Sequence, residues 1–181
     1  MRSYKHLAVR SDRGYVVQPA TAFSTDFVRD GNYAKLSDDE IVTAALDILS
    51  RRMMRNGPAL LNPQATRDYL RLRLTDLQHE VFVILFLDTR HNVIACEEMF
   101  RGTLDGASVH PREVVKRSLE LNCAAIIACH NHPSGVAEPS AADEAVTQRL
   151  KAALGLVDIR LLDHLIVGAC STESFAERGL L

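Results

Sequence analysis

The stretch CAAIIACHNHPSGVAEPSAAD, Cys123 to Asp143, decides how the chain is read. It opens on an apolar run of the kind that forms a strand covered on both faces. It closes on Pro139-Ser140, the entry to a helix whose first turn carries Asp143. Between them the residues fall into the pattern H-x-H-x7-S-x-x-D. Residues two apart on extended backbone point the same way, so His130 and His132 converge. Pro133 keeps His132 extended, because the residue before a proline is driven out of the helical region. Ser134-Gly135 reads as a turn, after which the chain folds Asp143 back toward the imidazoles. Two nitrogens and a carboxylate oxygen, with a fourth position left to water, are the donor set of a catalytic zinc site rather than a structural one. One Zn2+ per chain is expected, held by His130, His132 and Asp143. Ser140 to Asp143 is also S-x-x-D, a variant of the capping box, so both residues have a second role open to them at the helix start.

Upstream of this stretch, Ser37-Asp38-Asp39-Glu40 is a capping box, and Ile41, Ala45, Ile48 and Leu49 give a helical stripe to Met54. Asn56-Gly57-Pro58 ends it. Asn62-Pro63 opens a second helix with Leu70, Leu74 and Leu77 on one face. Val81 to Leu87, VFVILFL, is a second fully buried strand, Asp88 to Asn92 a turn, and Val93 to Phe100 the returning strand. The expectation is a hairpin in the centre of a sheet. Arg101 to Gly106 is loop, and His110-Pro111 starts a helix with Val114, Val115, Leu119 and Leu121 inward. Beyond Asp143, a helix to Leu154 is capped by Gly155, Leu156–Leu162 and Leu165–Val167 supply the last strands, and a tail runs from Ser171. Residues 1–36 lack periodicity and read as an arm. Helices and strands intermixed around one sheet make an α/β or α+β sandwich.

With 181 residues the chain is long enough for one real core. A net charge of −2 provides no global field toward nucleic acid or an anionic membrane, so direct nucleic-acid binding is not expected. The N-terminus has no apolar segment of signal-peptide type, and the longest apolar run is too short to span a bilayer. A cytoplasmic protein with no membrane contact is the expectation. The cysteines at 96, 123, 129 and 170 form no C-x-x-C pair and read as reduced, structural thiols.

Hydrolysis at such a zinc needs a base outside the ligand set. Glu80, at the head of a fully buried strand, stands where an unpaired charge is expensive without a function. Glu97 and Glu98 are its rivals; as neighbours on one strand, at most one of them points inward. Ser140 could donate to a developing oxyanion. Asp163-His164 offers a second acid/base pair, or in Asp163 a partner that orients a ligand histidine, or simply two satisfied polar residues near a strand end. His6, His79, His91 and His110 read as surface or capping residues.

With these residues in place, the pattern resembles the JAMM motif of MPN-type metalloproteases, and the chain more closely resembles the RadC family. The resemblance is carried by EVFVILFLD (80–88), FRGTLDGASVHPREVVKRSLELNCAAIIACHNHPSG (100–135), PSAAD (139–143) and LLDHLIVG (161–168). It implies a cytidine-deaminase-like (JAB/MPN) α/β fold, a mixed sheet flanked by helices, over residues 60–181, preceded by an N-terminal extension with one helix at 1–59. It further implies His130, His132 and Asp143 as zinc ligands, Glu80 as base and Ser140 as transition-state helper. The activity implied is that of a zinc metallopeptidase or isopeptidase acting on a protein or peptide. The alternative is a DNA-repair or recombination accessory protein of the same family without proteolytic activity. Before Glu80 the sequence has no G-x-G hairpin, so it resembles a short form without the helix-hairpin-helix module. An exposed strand edge could pair two chains into a homodimer.

Overall fold

A computed structural model describes residues 10–11, 14–15, 37–54, 63–102 and 108–181. The Asn56-Gly57-Pro58 helix break, residues 103–107 of the expected loop and most of the N-terminal arm lie outside them. Arg10–Ser11 (β1) and Gly14–Tyr15 (β2) pair antiparallel. Helix α1 (Asp38–Met54) begins as expected: Glu40 N–H donates to Ser37 Oγ, and the Glu40 carboxylate accepts from Ser37 N at 2.8 Å. Helix α2 (Pro63–Leu74) follows, starting on its proline.

The main sheet has five strands: β3 (Val81–Leu87), β4 (Val93–Arg101), β5 (Ala125–Asn131), β6 (Arg160–Val167) and β7 (Thr172–Ser174). Their spatial order is β4-β3-β5-β6-β7, with β5 and β6 parallel and the other pairs antiparallel. The fold is therefore the expected mixed sheet flanked by helices. Every residue of β3 and β5 is buried, because helices cover both faces. Val81, Val83, Leu85 and Leu87 pack with Leu70 and Leu74 of α2, and Leu46 and Leu49 of α1 pack against that cluster. Phe82, Ile84 and Phe86 point the other way, toward Val114 of α3 (Pro111–Glu120) and Leu150 and Leu154 of α4 (Ala141–Gly155).

Several expectations are corrected. The β3–β4 hairpin is not central: β5 is the middle strand and β4 lies at the edge, where its burial is interrupted and Ile94 is exposed. Leu119 is also exposed, since one turn from Val114 the inward position is Ser118, whose hydroxyl is satisfied by the Val114 carbonyl at 2.7 Å. The second buried strand runs from Ala125 through His130 and Asn131, not from Cys123 to Cys129. Gly155 is the last residue of α4, and the left-handed residue after the helix is Asp158, at φ 57°. Leu156 is solvent-exposed, and the last apolar segments form one strand, β6, because Asp163 and His164 keep the ladder with β5. The expected tail contains β7 and the fully buried Phe175.

Candidate metal centre

β5 is antiparallel to β3 and parallel to β6, so its C-terminal end meets the start of β3 and the end of β6. His130 is paired with Phe82 across the sheet, and their rings stack at 5.8 Å with 9° between planes. His132 follows the strand and is anchored by its backbone N–H on the Val167 carbonyl at 2.9 Å. The turn after Pro133 closes with Gly135 N–H donating to the His132 carbonyl, and Gly135 sits at φ 82°, a conformation natural to glycine. This turn brings the Val136 carbonyl 2.7 Å from His132 Nδ1. A carbonyl only accepts, so Nδ1 carries the proton and a neutral His132 presents an Nε2 lone pair.

Ser140 is the N-cap of α4 and closes a complete capping box. Its Oγ accepts from Asp143 N at 3.2 Å and donates to Asp143 Oδ2 at 2.6 Å, while Ser140 N donates to the same Oδ2 at 2.8 Å. The cap also aims the carboxylate. Asp143 Oδ1 lies 3.1 Å from His130 Nε2 and Oδ2 lies 3.4 Å from His132 Nε2, and the two Nε2 atoms are 3.0 Å apart. Donor atoms of all three residues lie within 4.8 Å of one another. Burial pushes the Asp143 carboxyl up, but the two imidazoles and Ser140 overcome it and hold it well below the usual carboxylate range. The bond to Asp143 raises His132 against burial, with Glu80 adding to the effect. Two nitrogen donors and a carboxylate within reach of a shared point form a donor set that fits a divalent metal.

Glu80 precedes β3 by one residue. The ladder between β3 and β5 ends at Phe82 and His130, two residues short of Glu80 and His132, and the Glu80 charge lies close enough to act on the His132 imidazole. The rivals are engaged elsewhere. Both Glu97 carboxylate oxygens meet Arg117, at 2.7 and 2.9 Å, in a buried pair, and Glu98 pairs with Arg101 at 2.9 Å.

The family model of the RadC-like JAB domain matches residues 60–180. The chain belongs to the RadC family. A UPF0758 protein of Methylibium petroleiphilum is 60% identical over 143 residues, 77% of this chain and 64% of that protein. One from Nitrosococcus oceani is 66% identical over 128 residues, covering 71% and 57%, and one from Leptothrix cholodnii is 64% identical over 141 residues, covering 76% and 64%. The chain thus spans less than two thirds of the length of these relatives. Among the described residues no helix is long and apolar enough to cross a membrane.

Two residues around the cluster, Asn131 and Thr147, carry no signal in the spacing of the motif, and a third, His164, takes the orienting place expected of Asp163. Asn131, between the histidines, points away from them and bonds the backbone on either side of Glu80. His164, wholly buried on β6, places Nε2 2.8 Å from His130 Nδ1. Burial and the neighbouring His130 hold its pKa well below that of an ordinary imidazole, so it is neutral. Thr147, one turn into α4 from Asp143, places its hydroxyl 2.6 Å from His164 Nδ1. Of the Asp163-His164 pair, His164 is therefore the one that touches a cluster histidine. Asp163 instead accepts from Ser174 Oγ and from the backbone of His164 and Ala176, tying down β7.

Proposed function

We propose that this domain is a zinc-dependent metallopeptidase or isopeptidase that hydrolyses a peptide or isopeptide bond with metal-activated water. The observation that carries the reading is the convergence of His130 Nε2, His132 Nε2 and the Asp143 carboxylate, with the Glu80 charge near enough to act on His132. Zinc held by His130, His132 and Asp143 would supply a bound water of pKa about 7 and polarise the scissile carbonyl. The remaining work falls to side chains. Glu80, outside the ligand set, takes a proton from the attacking water and passes it to the leaving amine. Ser140 is exposed at the mouth of α4, and its hydroxyl can turn from Asp143 to the carbonyl oxygen as charge develops there. Asp143 Oδ2 keeps the Ser140 backbone N–H when the hydroxyl turns away, so the carboxylate stays aimed. The substrate is a protein or peptide.

The test uses zinc-loaded full chain with fluorogenic peptides and with conjugates through a lysine ε-amine. The wild type is expected to turn over one of these classes, and Glu80→Gln to keep its zinc while losing at least ~10²-fold in rate. Full activity in Glu80→Gln would remove Glu80 from the mechanism. A zinc-loaded chain that cleaves nothing but binds DNA with a steep salt dependence would overturn the peptidase reading in favour of an accessory role.

A further inference from the structure

We infer that Thr147 and His164 are positioning residues that set the tautomer of His130, and through it the zinc affinity of the site. The inference rests on the metal reading above and is independent of hydrolysis. The direction of every hydrogen bond in the relay follows from one group that has no choice. The Asp143 backbone carbonyl can only accept, so the Thr147 hydroxyl, 2.5 Å away, directs its proton there. The Thr147 oxygen therefore receives the contact from His164 Nδ1 at 2.6 Å as an acceptor, which places the His164 proton on Nδ1 and its lone pair on Nε2. That lone pair faces His130 Nδ1 at 2.8 Å, so His130 carries its proton on Nδ1 as well. A neutral imidazole has one N–H. His130 Nε2 is left as a lone pair directed at His132 and Asp143.

His132 reaches the same state by a shorter route, through the Val136 carbonyl. The relay to His130 is enclosed: Thr147 and His164 have no exposed surface and His130 almost none, so solvent does not substitute for a missing partner. Phe175 stacks on the His164 ring at 4.9 Å and Phe82 lies against it at 5.3 Å, which fixes the ring plane. One helix thus provides both a cluster carboxylate and, one turn later, the hydroxyl that orients a histidine of the same cluster.

The experiment measures the Zn2+ dissociation constant of the full chain by competition with a chromophoric chelator, in wild type, Thr147→Val and Thr147→Ser. Valine keeps the shape of threonine and removes the hydroxyl. His164 Nδ1–H then lacks an acceptor, the ring moves its proton to Nε2, and the His130 proton is driven to its own Nε2, against the metal. Thr147→Val is expected to weaken zinc binding by about 10–100-fold, and Thr147→Ser to retain it. Long-range 15N NMR of the metal-free wild type at pH 8 is expected to show both His130 and His164 protonated on Nδ1. Wild-type affinity in a folded Thr147→Val protein overturns the inference alone. A wild-type His164 protonated on Nε2 overturns it too, and this second reading stands even where the variant fails to fold. No zinc binding by the wild type would overturn the metal reading and the inference with it.

Discussion

Asn131 accepts the Val81 backbone N–H on its Oδ1 at 2.8 Å and donates from Nδ2 to the His79 carbonyl at 3.0 Å. Glu80 lies between those two anchors. The side chain that separates the histidines in sequence therefore fixes the backbone that presents the proposed base. Asn131→Leu keeps the bulk but leaves the buried Val81 N–H without an acceptor, at about 1–3 kcal/mol. The expected outcome is a lower melting temperature and a fall in turnover, with zinc stoichiometry unchanged in metal analysis. An unchanged melting temperature would show that the latch adds nothing.

Glu97, midway along β4, and Glu80, just before β3, are both acidic and are predicted to fail in different ways. Glu97 is clasped by Arg117 and holds that guanidinium above its ordinary range. Both side chains are mostly buried, so Glu97→Ala removes both of these bonds to Arg117, leaves it Glu120 at 3.0 Å, and costs about 1–3 kcal/mol. Thermal denaturation is expected to show a large loss in Glu97→Ala and little in Glu80→Gln. Glu97→Gln, assayed below its melting temperature, is expected to keep peptidase activity. Loss of activity there with zinc retained would return Glu97 to the list of bases.

Protons and metal compete for the same atoms, and the signs are opposite for the two kinds of group. In the metal-free chain the depressed Asp143 contributes stability above its unfolded pKa, and this is lost as pH falls through the folded one. The raised His132 contributes below its unfolded pKa, and this is lost as pH rises through its folded value. The contributions of Asp143 and His132 thus overlap between the two unfolded values, roughly pH 4 to 6.5, while the lowered His164 opposes folding increasingly as pH falls below its own unfolded value. Zinc requires neutral imidazoles, so its stabilisation grows where that of the metal-free cluster fades. The rise in melting temperature on adding zinc is expected to be small at pH 5.5, large at pH 8, and reversed by a chelator. A rise independent of pH would place the metal away from the histidines.

The cluster was legible in sequence because its three residues fall within fourteen on one strand, turn and helix, where period and capping rules act locally. Glu80 stands out in the sequence as a carboxylate at the head of a buried run, and its role as base is a proposal. Thr147 and Asn131 were not legible, nor was the choice of His164 over Asp163 as the partner of a cluster histidine, because these roles come from contacts between elements: His164 meets His130 across thirty-four positions and Asn131 meets Val81 across fifty. The strands fared similarly. The run Val81–Leu87 announces that both faces are covered, but not which strand lies on each side, and so the hairpin was expected at the centre. β7 was missed because Thr172, Glu173 and Ser174 carry no apolar signal; Asp163 and the β6 ladder hold it.

Gly168 and Gly155 make the last prediction, since the same substitution meets opposite surroundings. A Cβ at Gly168 would lie 2.5 Å from the Gly135 carbonyl oxygen and 2.9 Å from Ala137 N, both backbone atoms that cannot rotate aside. The segment that must move includes Val136, whose carbonyl fixes His132 Nδ1. Gly168→Ala is therefore expected to destabilise the fold by about 1–3 kcal/mol and to weaken zinc binding as well. A Cβ at Gly155 meets nothing within 4 Å, and the residue closes a helix. Gly155→Ala should be neutral or stabilising by up to ~1 kcal/mol, with zinc affinity unchanged. Melting curves and zinc titrations of the two variants side by side decide the matter. If Gly168→Ala loses stability but binds zinc like the wild type, the 135–137 turn yields without moving His132, and the Val136 carbonyl is not what holds that imidazole in place.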